Sequence, residues 1–328
     1  MTNLAAQQRQ IFTDTPVSDL LGNNKDAFEA FTQGKLCLSL SIEGISCPAT
    51  VIAINKEYLF CLDAECEMPE LQAYALAAQI LRGPLSSAMT GIDQIIATAD
   101  TPAVAEQAAK INRNLHQLLR AVGNMSDAVQ YAEDKSCRLQ SQNIMWVLDE
   151  ILQKAAPLTQ QAGHPLEYAL PNYSLMCKMD REKLERAILN MISNALKYSA
   201  PGTSIRFTLY CTDTRVNLTV ENDLPECAVP MHNLFSRYLR QPGIEDAYNG
   251  IGLGLSIVKN VAAIHGGTVL MEQPDDKMRI TMSFPLDSTS STVLRSPVSL
   301  PVHYAGGYNS ELVELSDCLP YQLYDGKH

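Results

Sequence analysis

No stretch of this 328-residue chain approaches the roughly 18 consecutive apolar residues that a membrane-spanning helix needs. The opening MTNLAAQQRQIF also lacks the basic start and apolar run of a secretory leader, so a cytoplasmic protein is expected. Positive charge is scarce: 25 Lys and Arg stand against 36 Asp and Glu, a net charge of −11. Neutralising a phosphate backbone takes clustered Lys and Arg, which sets nucleic acid aside as a partner. None of the nine cysteines forms a C-x-x-C pair, and their number is odd. They read as reduced thiols rather than as zinc ligands or a disulfide frame. A chain of this length is expected to hold two or three domains.

Hydrophobic periodicity divides it. Residues 1–66 read as a small α+β unit of about the size of a PAS sensory domain: DAFEAFTQGK suits a short helix. KLCLSLSI alternates Leu36, Leu38, Leu40 and Ile42 on one face, as a half-buried strand does, and ATVIAI and EYLFCL supply two more strands. Over residues 67–134 the period becomes that of a helical seam. Leu71, Tyr74, Ala78, Leu81, Leu85, Ala88, Ile92, Ile95 and Ala99 form one series. Val104, Ala108, Ile111, Leu115, Leu118, Val122, Met125 and Val129 form a second, after a turn at Asp100, Thr101 and Pro102. An antiparallel hairpin is expected, and a lone hairpin leaves half its seam wet, so a homodimeric four-helix bundle is expected, with packing onto another part of the same chain as the alternative. Residues 135–287 alternate strands and helices with more strands than crossovers, which suits a mixed sheet covered by helices. Residues 288–328 read as a Ser/Thr/Pro linker and a tail, the tail taken as disordered rather than as a docking segment.

Two stretches of the third region carry chemistry. ERAILNMISNALKYS places Asn190 and Asn194 one turn apart on one helix face, with Lys197 a turn further on. Asn oxygens suit a Mg²⁺ that bridges phosphates, and the lysine adds positive charge. Amides on a helix surface are the plainer alternative. NGIGLGLSIVKNVAAIHGG opens with Gly250, Gly252 and Gly254 and runs into an apolar helix. Such a turn lets the backbone approach a phosphate at a helix N-terminus, or is a tight turn and nothing more.

In this order, with LTVENDLPE between them, the stretches resemble the ATP-binding domain of sensor histidine kinases of two-component systems, within the gyrase/Hsp90 superfamily. LNMISNALKYS is similar to the N box, LFSRYLR to the F box and GIGLGLSIVKNVAAIHGG to a glycine box. The resemblance implies an α/β-sandwich that binds ATP with Mg²⁺. Asn194 would ligate the metal, and Asn190, Lys197 and Tyr198 would face the phosphates. Gly250, Gly252, Leu253, Gly254 and Leu255 would close over them, under a lid at about 227–250 with Arg237 and Arg240. The family's D-x-G-x-G box falls on Asn222, Leu224 and Glu226. Asn222 still accepts a hydrogen bond from adenine but without charge assistance, so weakened ATP binding is expected. Asn190 stands where the superfamily's ATPases carry a general-base glutamate, and it takes no proton, so free hydrolysis is not expected.

The hairpin lacks the residue that gives the family its name. Against a phosphoacceptor box like S-H-E-L-R-T-P-L, AQILRGPL keeps Leu81, Arg82, Pro84 and Leu85 in register. The acceptor histidine is Gln79, the adjacent acid is Ile80, and Gly83 takes the position of the water-orienting residue. His116, on the second helix, reads as a surface histidine rather than as a substitute acceptor. The expected function is therefore an ATP-binding, homodimeric signalling protein without autophosphorylation in cis, acting on a response regulator or another signalling protein through conformation. The alternative is an active kinase that phosphorylates a partner in trans.

Overall fold

The computed structural model describes residues 15–42, 45–54, 57–62, 68–133, 138–225, 253–286 and 308–326. The N-terminal unit has two short helices, α1 (Val17–Leu21) and α2 (Lys25–Glu29), and the strands β1 (Lys35–Ile42), β2 (Ile45–Ile54) and β3 (Glu57–Leu62). Leu36, Leu38, Leu40 and Ile42 face inward together against Leu21, Phe31 and Val51, as their alternation predicts. β2 starts before Pro48, which is tolerated because β3 reaches back only to Ala49, opposite Leu62.

β1 is not the half-buried strand that its alternation suggests, because most of its residues are buried on both faces. Its other edge pairs with a strand of the third region: Lys35, Leu36 and Cys37 lie opposite Met271, Leu270 and Val269. The joint needs glycine at Gly34, whose φ is +93° and whose absent Cβ would meet the Met271 carbonyl.

α3 (Met68–Ala97) and α4 (Pro102–Glu133) form the expected antiparallel hairpin, and Pro84 sits inside α3 on its exposed side. Ala78, Leu85, Met89 and Ile92 of α3 pack with Leu119 and Val122 of α4 or line the same seam. The interleaved positions Leu81, Ile95, Val104, Ile111 and Leu118 are each about half exposed. No described helix is long and apolar enough to cross a membrane.

The third region holds β4 (Gln140–Asn143), α5 (Ile144–Gln161), β5 (Leu166–Ala169), β6 (Met176–Met179), α6 (Arg181–Tyr198), β7 (Ile205–Cys211), β8 (Arg215–Asp223), α7 (Leu253–Ile264), β9 (Thr268–Glu272) and β10 (Lys277–Pro285). Eight strands make one mixed sheet in the order β3-β2-β1-β9-β10-β8-β7-β5, while β4 and β6 pair separately. Only β5 and β7 run parallel among these pairs. The apolar faces of α5, α6 and α7 close over this sheet in the main core, with Leu148, Ile188, Val258, Phe207 and Met282 inside it. The six cysteines among the described residues form no disulfide.

The tail departs from expectation. Residues 308–326 are packed, with a helix α8 (Ser310–Glu314) capped by Asn309 and a 3-10 turn at Tyr321–Tyr324. Val313 enters the hairpin core, while Leu312, Leu315, Leu319, Leu323 and Tyr324 join the main core. The apolar residues between the acids of SELVELSDCL supply the burial that a disordered tail lacks.

Candidate functional site

α6 starts because Asp180 caps it, its Oδ1 accepting from Lys183 N at 3.3 Å. His265, at the end of α7, fixes the same corner. Its Nε2 accepts from Asp180 N at 3.0 Å, which leaves Nδ1 to donate to the Val261 carbonyl at 2.7 Å. Burial holds this imidazole below its usual pKa, in the neutral form that the pair of bonds requires. The two helices that carry the candidate motifs are thus locked together at one end.

Their functional faces meet about three turns further on. Asn190 is fully buried, and a Cβ on Gly254 would lie 2.7 Å from its Oδ1. Only glycine lets α7 come this close to the amide, so the third glycine of the run is a packing requirement as well as a turn signal. The Asn190 side chain is held from three sides. Arg120 Nη2 of α4 donates to its Oδ1 at 3.2 Å, and its Nδ2 donates to the Arg186 carbonyl at 2.9 Å and to Glu314 Oε2 at 3.1 Å.

Asn194 lies one turn along α6 and is partly exposed. Lys197 and Tyr198 end that helix, with the ammonium 5.7 Å from the Tyr198 ring centroid. Burial lowers the Lys197 pKa, and the nearby Asp317 carboxylate works against that shift. Just past the helix, Ala200 N donates to the Asp223 carbonyl at 2.8 Å, which brings the end of β8, and with it Asn222, to the same end of the site. Asn222 is buried on β8 between Ile205 and Met278. Leu255 is buried in the core beneath α7, so it supports the site from below. Leu253 is the first residue of α7. Gly250, Gly252, Glu226, Arg237, Arg240 and the whole lid stretch lie outside the described residues.

Sequence reasoning missed Arg120, Arg186, Glu314 and Asp317. Glu314 is wholly buried, 3.4 Å from Arg120 Nε and 3.3 Å from Arg186 Nε, and Asp317 Oδ2 lies 2.7 Å from Arg120 Nη1. The tail did carry a signal, with acids three apart among apolar residues in ELVELSD.

The surface reading of His116 is also corrected. The ring is 6 % exposed, covered by Tyr324 at 4.8 Å and Tyr308 at 6.0 Å between centroids, and its Nδ1 bonds to the Asn112 carbonyl at 2.9 Å. The docked tail is what buries it. Gln79 and Ile80 are exposed on α3, Ile80 by 62 %. Among the described residues no three His, Cys, Asp or Glu side chains come together as a metal site.

Comparison with known proteins agrees with this geometry. Residues 179–288 match the histidine kinase-, DNA gyrase B- and HSP90-like ATPase family. Sensor protein KdpD of Clostridium acetobutylicum is 24% identical over 261 residues, 70% of this chain and 29% of that protein. Sensor histidine kinase TmoS of Ectopseudomonas mendocina is 30% identical over 186 residues, 54% of this chain and 19% of its own length. Sensor histidine kinase CusS of Escherichia coli O157:H7 is 28% identical over 196 residues, covering 58% of this chain and 40% of that one. The chain therefore matches well under half of each of these relatives. A full-length structure of ShkA in complex with AMPPNP superposes with a TM-score of 0.53 at 21% identity, over 67% of this chain and 47% of that one, a likeness of fold. With its paired N-box and glycine-box helices behind a helical hairpin, the chain is similar to sensor histidine kinases and carries, over residues 179–288, an ATPase domain of the histidine kinase, DNA gyrase B and HSP90 type.

Proposed function

We propose that this chain is an ATP-binding signal-transduction protein that dimerises through α3 and α4 and does not phosphorylate itself. The contact between Asn190 and Gly254, too close for a Cβ, carries the nucleotide reading. It brings the amide face of α6 against the N-terminal turn of α7, where backbone N–H groups and side-chain amides would converge on phosphate oxygens. Asn190, Lys197 and Tyr198 would line the phosphates and Asn194 would ligate Mg²⁺, which would neutralise phosphate charge when bound. Asn222 would accept from adenine in place of the family's aspartate, so binding is weaker than with a charged acceptor.

Two observations support the loss of autophosphorylation. The register position of the acceptor holds Gln79, an exposed amide, followed by the apolar Ile80. His116, the only histidine of the hairpin, is enclosed by Tyr308 and Tyr324. The half-exposed apolar set on α3 and α4 supports a second copy as the hairpin's partner, since it repeats every seven residues as a bundle seam does. Signals from the N-terminal unit would reach the ATPase domain through the β1–β9 joint, and the output would fall on a response regulator or another signalling protein.

Incubation of the full chain with γ-labelled ATP and Mg²⁺, beside a thermal-shift titration, tests the reading. Nucleotide at millimolar concentration is expected to raise the melting temperature without leaving acid-labile phosphate on the chain. No shift would end the nucleotide reading, and label lost in H116Q would end the reading of a missing acceptor. Label on a partner protein would establish the kinase acting in trans.

A further inference from the structure

The C-terminal segment carries Glu311, Glu314 and Asp317 at intervals of three, and each meets a cation. Glu311 lies 3.7 Å from Lys154 Nζ, Glu314 touches both Arg120 and Arg186, and Asp317 pairs with Arg120. In a chain with a large excess of acid, these cations and Lys197 are gathered around one face of α6. The central acid reaches furthest in. Glu314 is fully buried, and its Oε2 also accepts from the Asn190 amide, the group that the nucleotide reading assigns to phosphate.

Two guanidinium groups, with Nε atoms within 3.4 Å, and a donating amide surround one buried carboxylate and form a built site. Arg120 and Arg186 are each less than a tenth exposed, from α4 and α6 respectively. Arg82 of α3 lines the same small cleft. Guanidinium forks recognise carboxylate and phosphate by the same charge-assisted bonds, so an anion of either kind satisfies the site. Left without an anion, buried cations this close together are strongly unfavourable.

We propose that Arg120, Arg186 and Asn190 form an oxyanion site for the terminal phosphate of a bound nucleoside triphosphate, which Glu314 occupies from within the same chain. Docking of the tail and binding of a triphosphate then exclude one another. A diphosphate has no group for this site and is indifferent to the tail. The proposal rests on the nucleotide reading above and adds its regulation. By linkage, the triphosphate weakens tail docking by the factor by which the tail weakens the triphosphate. Because the tail also holds α4, through Arg113 Nε to the Ser316 carbonyl at 3.2 Å and Asn112 Nδ2 to the Tyr324 carbonyl at 3.1 Å, its release would loosen the hairpin's attachment to the ATPase domain.

The test is calorimetric titration of the full chain with AMPPNP·Mg²⁺ and, separately, with ADP·Mg²⁺. E314Q is expected to bind AMPPNP about tenfold more tightly than wild type, with ADP changed by less than about twofold. R120A/E314Q is expected to lose that gain for AMPPNP and to leave ADP where it was. A full chain with a protease site inserted between residues 288 and 307, cut after folding, is expected to show the same gain, reversed by added peptide 308–326. That form guards against misfolding of the buried-charge variants. AMPPNP affinity unmoved by E314Q and by cleavage, or AMPPNP and ADP shifted equally, would overturn the proposal while leaving the nucleotide reading intact. If neither nucleotide binds any form, both fall together.

Discussion

Replacing Gly254 with alanine tests the joint between the two motif helices more directly than any loss of a polar group. The new Cβ would stand 2.7 Å from Asn190 Oδ1, 3.6 Å from its Cγ and 4.0 Å from its Cβ. The amide must retreat by several tenths of an ångström, and it has nowhere to go. It is fully buried and holds Arg120, the Arg186 carbonyl and Glu314. Overpacking of this kind costs about 1–3 kcal/mol, and a strained bond to a charged partner adds to it. Alanine's better helix propensity returns at most about 1 kcal/mol. A net loss of about 2 kcal/mol is expected. Asn190→Ala alone is expected to cost about 1–3 kcal/mol, since it leaves Glu314 and Arg120 one partner short. In the double variant two methyl groups face each other where a methyl met an oxygen, so the clash disappears. The double variant is therefore expected to be about 2 kcal/mol more stable than the sum of the single losses allows. Urea unfolding followed by Trp146, the chain's single tryptophan, reads this cycle, because it lies on α5 within the ATPase domain. Losses that add to within about 0.5 kcal/mol would refute the argument, because the contact would then not be the source of the cost.

Three further outcomes follow from other parts of the molecule. Gly34→Ala puts a side chain at φ +93° against the Met271 carbonyl, so amide exchange in β1 and β9 is expected to quicken while α6 stays protected; unchanged exchange would mean the joint is not needed. Glu185 is raised to about 7 by burial and by Glu311 beside it, so its folded pKa exceeds its unfolded value and its charge weakens the fold above pH 7. At about 1.4 kcal/mol per unit, Glu185→Gln is expected to gain about 1–3 kcal/mol at pH 8 and to abolish the stability gained on acidification from 7 towards 4.5; a variant with the wild-type profile would refute it. His265 has the opposite sign: its folded pKa lies below the unfolded value of about 6.5, so stability present above that pH is lost as pH falls through it, and His265→Ala is expected to be less stable at pH 7.5 with a shallower acid slope.

The elements with a strong period were legible in the sequence. α3, α4 and α6 stand where their apolar spacing puts them, and β7 alternates buried and exposed residues along its length. β4 and β6 are four residues each, too short to carry a period, and pair only with one another. The face that β1 shows to its own unit was readable, whereas its second partner was not. Leu36 alternates in the same way whether β9 lies beside it or water does.

The candidate site shows the same division. Asn190 and Gly254 announce themselves because a helix face and a glycine run are local signals. Glu314 sits 124 residues from the amide that it holds, and no local pattern encodes a pair at that separation. What the tail sequence did encode was its own amphipathic half, with acids at every third place and leucines between them. Such a segment has a reason to fold only when both halves find partners, the leucines a core and the acids a set of cations. The apolar half reaches its core beside Val313 and Leu315, and the acids land on Arg120, Arg186 and Lys154. A segment held only by leucines would need no acid at position 314, where a buried carboxylate is costly without two guanidinium groups to meet it. Its presence there therefore calls for an explanation from the site rather than from packing, and the explanation offered is that it stands in for an anion of another kind.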